Sequence, residues 1–94
     1  MKLLYAVRDN VASANVGGVY LFPHDTPAVR FFSDVALDPQ TMVGRHPKDH
    51  SLLHIGTLDE DTCVVVGLDQ PRLVLSGEAW LAMQQAASQH QNEG

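Results

Sequence analysis

Cysteine is almost missing from this chain. Its 94 residues contain one, Cys63, which excludes an internal disulfide framework and any cysteine-based zinc module and fits a reducing compartment. Long apolar runs are missing as well. None approaches the ~20 residues that a membrane span needs, and the apolar start at residues 1–7 is too short for a signal peptide and is closed by Arg8-Asp9. The expectation is a soluble protein with no membrane partner. No GxSxG, HExxH, P-loop or GxGxxG pattern occurs, and Gly17-Gly18 is too short to cradle a phosphate. The residues therefore assign no catalytic group and no cofactor, and the expectation is a protein that is not an enzyme. Asp59-Glu60-Asp61 lacks the alternating acids and glycine of a calcium loop and reads as a solvated turn.

Basic charge is scarce in one half only. Residues 1–50 hold Lys2, Arg8, Arg30, Arg45 and Lys48 against five aspartates, whereas residues 51–94 hold Arg72 alone against six acids. The net charge of −5 thus arises in the second half. An acidic chain lacks the global attraction that drives non-specific nucleic-acid binding, so any such contact must be local and on the first half.

What is present suffices for one small core. A chain of this length buries roughly 60–70% of its unfolded surface, and 45% hydrophobic residues are ordinary for a globular domain. One domain is expected over residues 1–89, with a polar, flexible tail at 90–94.

The pattern predicts strands at residues 3–7 and 19–22, joined as a hairpin across a loose connector in which Gly17-Gly18 begins a bulged or mobile turn. A helix follows. Thr26 is placed to cap it, Pro27 suits its first position, and Asp25 lies near the positive end of its dipole. Ala28, Phe32, Val35 and Ala36 form its apolar stripe, Arg30 and Asp34 pair on the outside, and Asp38-Pro39 stops it. Residues 40–48 read as loop. Strands are expected at 51–58 and 62–68, forming a second hairpin, with Cys63 a buried residue of the latter. A turn at 69–71 leads to a short strand at 72–75. Ser76 then caps a last helix from Glu78 to about Gln89, with Trp80 and Met83 on one side. Hairpins rather than strand-helix-strand units give the fold class: α+β, with a small, mainly antiparallel sheet built from two hairpins, packed by one central helix, plus a C-terminal helix.

His46, His50 and His54 recur every four residues, but Pro47 disfavours helix there and four residues of strand span ~13 Å, too far for one ion. No metal site is assigned. His50 and His54 are expected on a solvent-facing or interface face, opposite Leu53 and Ile55. Arg45, His46 and Lys48 form the one concentration of positive charge. As a site they would meet phosphates, with Arg30 beside them and Tyr20 or Phe22 to stack on bases; as plain surface they are a solvated loop. Trp80 and Met83 likewise carry two readings, core packing or a self-association or partner-binding face.

Tyr5-Ala6-Val7-Arg8-Asp9, then residues 28–34 (AVRFFSD), then His46-Pro47-Lys48-Asp49 leading to Leu52, Ile55-Gly56 and Leu58-Asp59, occur in an order and spacing that resemble a known family. It is the small non-structural protein from the fifth open reading frame of gokushovirus-type microviruses, which are single-stranded DNA phages. The likeness runs from about Lys2 to Gly67, and departs at His50 and Leu53, where the family usually has aromatic residues. It implies a protein of the host cytoplasm, absent from the mature virion and assigned to single-stranded DNA synthesis or packaging. Single-stranded DNA, phage replication or procapsid proteins, and further copies in a homo-oligomer are the implied or expected partners. Two hypotheses follow: DNA or replication-complex contact through residues 45–48, Arg30 and the nearby aromatics, or a protein–protein interaction module that never touches DNA.

Overall fold

A computed structural model describes the backbone of residues 1–93 and the side chains of residues 1–88. The tail expected at 90–94 falls outside the described side chains, and Gly94 outside the description altogether. Strands β1 (Lys2–Asp9), β2 (Ala14–Phe22), β3 (His50–Asp59) and β4 (Val64–Ser76) form one antiparallel sheet in the order β2-β1-β3-β4. Helices α1 (Asp25–Leu37), α2 (Met42–Arg45) and α3 (Gly77–Glu93) complete the chain, with a 3-10 turn at Pro47–Asp49. The expected α+β class and antiparallel sheet are present.

Both hairpins close by the same device. Asp9 Oδ1 accepts from the backbone N–H of Val11 and Ala12 at 3.0 and 3.1 Å, and Asp59 Oδ1 accepts from those of Asp61 and Thr62 at 2.9 and 3.4 Å. Each loop ends in a left-handed residue, Ser13 at φ 56° and Cys63 at φ 60°. Cys63 is therefore an exposed turn residue, not the buried strand residue expected from its valine neighbours. The connector expected at residues 13–18 is mostly strand. Its two glycines are a bulge: Ala6 faces Val19 and Val7 faces Val16, leaving Gly17 and Gly18 unpaired.

Four further readings change. The turn at 69–71 is a wide bulge inside one long strand, since residues 68–71 stand against Ile55 alone. Residues 40–48 are short helical turns, because the Thr41 hydroxyl donates to the carbonyls of Val35 and Asp38 at 2.8 Å and accepts from Gly44 N–H at 2.9 Å. Thr26 does not cap α1. The helix starts two residues earlier, after His24, with no side-chain cap bond and Asp25 in its first turn. Arg30 and Asp34 form no ion pair among the described residues. Ser76 does cap α3, accepting from Ala79 N–H at 3.0 Å.

The helices cover one sheet face. Tyr5, Val7 and Leu52 from the strands meet Ala28, Phe32 and Ala36 of α1, Val43 of α2 and Trp80 of α3 in one core. The period of α1 puts its small and aromatic residues on the sheet side, as its stripe requires.

Candidate functional site

The polar groups of the covered face begin at Tyr5. Its ring is fully buried, so its hydroxyl needs a partner, and it donates to Asp25 Oδ1 at 2.6 Å. Arg72 Nη2 donates to the same oxygen at 2.8 Å, and Arg72 Nε to His54 Nδ1 at 3.3 Å. His54 Nε2 lies 3.0 Å from the Gly56 carbonyl. That carbonyl can only accept, so Nε2 carries the proton and Nδ1 is free to accept from Arg72. The chain of contacts ties β1, α1, β3 and β4 together across the sheet.

Charges are settled accordingly. The Arg72 hydrogen bond, followed by that of Tyr5, holds the Asp25 carboxyl below the ordinary aspartate value, and the Arg72 guanidinium is pushed up, first by its bond to Asp25. Burial, then the hydrogen bond and charge of Asp25, pushes the Tyr5 hydroxyl up. Tyrosine donates, aspartate accepts and arginine stays charged. Such a set locks a junction between the strands and α1.

A second polar centre lies at the other end of β3. His50 is buried, its Nδ1 2.7 Å from the His46 carbonyl. Its Nε2 is buried without a hydrogen-bond partner, 3.9 Å from Asp9 Oδ2. The Asn10 backbone N–H donates to the Asp49 carbonyl at 2.7 Å, and the Asn10 side-chain amide to the Ser51 hydroxyl at 3.0 Å. These bonds pin the 3-10 turn to the first hairpin. Two backbone N–H groups at the turn, led by that of Ala12, hold the Asp9 carboxyl below its ordinary value, with a smaller part from the nearby histidines.

His50 and His54 therefore face the helices, contrary to the expectation of a solvent-facing or interface position. They flank fully buried Leu52 on its own face, while Leu53 and Ile55 are half-buried. Alternation told which residues share a face, but both faces of β3 are apolar, and only the helices decide which becomes interior.

The basic candidates separate from the aromatic ones. Arg30, Arg45, His46 and Lys48 are all exposed. No acid lies within ion-pair distance of Arg30, Arg45 or Lys48 among the described residues. Tyr20 and Phe22 lie on the helix-covered face, where each packs on Phe31 with ring centroids 4.6 and 5.6 Å apart. Both rings are half-buried, and the side of each that meets Phe31 is taken by α1. The cause is register: Phe22 pairs with Leu3 and Tyr20 with Tyr5, both on the side that receives the helix.

Trp80 is likewise interior. It is 4% exposed and donates from Nε1 to the Ser33 hydroxyl at 2.9 Å. Of the two residues considered for a partner face, Met83 alone is outside, at 54% exposure. The sequence missed the Tyr5–Asp25–Arg72–His54 junction, whose members are far apart in the chain and meet only through the strand order.

A protein-family model described as Phage ORF5 protein matches residues 2–80. The match spans β1 through the first turn of α3 and includes every strand, the basic corner and Trp80. No curated protein and no solved structure matches the chain.

Proposed function

This chain belongs to the phage ORF5 protein family, and from that premise we propose that it is a non-catalytic accessory factor of a microvirus-type phage. It acts in the host cytoplasm, outside the mature virion, where viral single-stranded DNA is made or packaged. It touches the phosphate backbone of that DNA through Arg45, His46 and Lys48, together with Arg30 on α1. The observation that carries this reading is the exposed state of these four side chains, three of them cations with no acid within ion-pair distance among the described residues, in a chain of net charge −5. Contact is electrostatic and sequence-independent, because Tyr20 and Phe22 are packed on Phe31 rather than offered to bases. The non-catalytic part is supported by Tyr5, Asp25, Arg72 and His54, whose donors and acceptors are directed at one another.

A salt titration of single-stranded oligonucleotide binding tests the proposal. Three or four phosphate contacts give a log–log slope of about −2 to −3, or a loss of about 20- to 50-fold in affinity between about 50 and 200 mM salt. Arg45→Ala with Lys48→Ala should flatten the slope by about 1.4. Absence of wild-type binding at about 50 mM salt would end the DNA reading. Binding with an unchanged slope in the double variant would move the site elsewhere. A second reading, a module that contacts proteins alone, is favoured by the apolar residues that the helices leave open on the sheet.

A further inference from the structure

The sheet has two apolar faces, and only one carries helices. Side chains alternate along a strand, so with Tyr5 and Val7 in the helix-covered core, Leu4 and Ala6 point the other way. Cross-strand pairing extends that open face. Ala6 faces Val19 on one side and Leu53 on the other, and Leu53 faces Leu73. One apolar row thus crosses all four strands. Leu4 and its partner Leu21 begin a second row beside it. Leu4 and Ala6 are buried, yet neither belongs to the cluster beneath the helices. Val19, Leu21 and Leu73 are 56%, 46% and 58% exposed.

We propose that a second copy of this chain covers this face, sheet against sheet, in a symmetric dimer. The area suits that occupant. Four strands ~4.8 Å apart and ~8 residues long at ~3.3 Å per residue give a footprint of roughly 500 Å². Two copies together bury at least about 1,000 Å², the lower bound for a specific interface. The layout suits it as well. The polar row of the face, Asn15, Arg8, Ser51 and Ser76, sits at one end of the strands and Lys2 at the other, where it already reaches Glu60 at 3.9 Å. An apolar centre inside a polar rim is the anatomy of a protein interface. Two copies of one sheet share one twist and so stack in alignment, about 10 Å apart. Nucleic acid is a poor occupant, because the face presents no aromatic ring for stacking. The dimer is independent of the basic corner, whose contact with DNA it neither requires nor excludes.

Sedimentation of the full chain tests this. The wild type should sediment at twice the chain mass at tens of micromolar. Val19→Lys with Leu73→Lys, both on side chains more than half exposed in one copy, should sediment as a monomer with an unchanged far-UV circular dichroism spectrum. If lysine disturbs the fold, Val19→Ser with Leu73→Ser replaces it, with at least a tenfold weaker dimer expected. Met83→Lys, on α3, should remain dimeric. A monomeric wild type at about 100 μM overturns the proposal. So does a dimer that survives the folded sheet variants, or one that Met83→Lys dissociates. Flotation of a monomeric wild type with vesicles of phosphatidylcholine and phosphatidylglycerol would identify a lipid cover and also overturn it.

Discussion

Replacing Trp80 by alanine tests whether α3 is part of the fold. The indole is 4% exposed, lies among Phe32, Val43 and Leu52 in the core cluster, and donates to Ser33 at 2.9 Å. Truncating a buried tryptophan to alanine costs ~3–5 kcal/mol, the sum of lost transfer energy and the cavity left behind. A domain of this size has a total stability of ~5–14 kcal/mol, so the variant keeps a minority of it if the wild type sits near the lower end. In urea, with an m-value of ~1–2 kcal/mol/M, the midpoint should fall by ~2–4 M at nearly constant m. Trp80→Phe keeps most of the ring and loses the hydrogen bond, worth ~1 kcal/mol; its midpoint should drop by about 1 M or less. Far-UV circular dichroism follows all variants. In the wild type the single tryptophan also reports directly, its emission shifting to the red as the site opens to water. The reasoning fails if Trp80→Ala costs less than ~1 kcal/mol, since that would mean the helix does not rest on the sheet.

Other outcomes follow from backbone clearance and titration. A methyl group at Gly77 would run into the Pro47 carbonyl and lie 2.8 Å from that of His50. Backbone must then move, and Gly77→Ala should destabilise by ~1–3 kcal/mol or more, whereas Gly18→Ala, with open space around it, should be neutral or slightly stabilising; thermal unfolding compares them, and equal melting temperatures would refute the packing of α3 on the 3-10 turn. Asp9 and Asp25 both have carboxyls held below their ordinary values, so each contributes stability above the unfolded aspartate range, near pH 4, and loses it as pH falls through its folded value. Melting temperature should therefore decline in acid below about pH 4, and Asp25→Asn should make that decline shallower. The Asp25–Arg72 pair is partly solvated, with side chains 40% and 48% exposed, so its share is held to ~1 kcal/mol or less.

Legibility followed the range of the interactions. Helix α1 could be read because its determinants are local: Ala28, Phe32 and Ala36 recur at helical spacing, and Asp38-Pro39 prevents continuation. The hairpins could be read for the same reason, from apolar runs flanking Asp9-Asn10 and Asp59-Glu60-Asp61. Cys63 could not. Its left-handed backbone is set by the length of a loop that Asp59 ties together, whereas its side chain resembles those of the valines that follow. His50 and His54 were misplaced because a strand with leucine on both faces does not say which face the helices will choose. At the candidate site, exposure of Arg45, His46 and Lys48 agreed with a charged segment rich in turn residues. The commitment of Tyr20 and Phe22 to Phe31 depended on cross-strand register and on where α1 lands. Neither is written in any short stretch of sequence.

The bulges have a consequence for how far assembly can go. Strands β2 and β4 are the two edges of the sheet, and an exposed edge is a template on which further chains can add without limit. The β4 edge is the more hazardous, for Val64, Val65, Val66 and Leu68 are exposed in near succession, the composition of a self-templating segment. Each edge is broken in the middle. Gly17 and Gly18 kink β2, while β4 swings away from its partner over residues 68–71, where Pro71 has no N–H to offer and Asp69 adds charge. An incoming strand could form only a short, misaligned ladder before the register failed. Growth along the hydrogen-bonding direction is therefore opposed by the broken register of each edge, and on β4 by the charge of Asp69 as well.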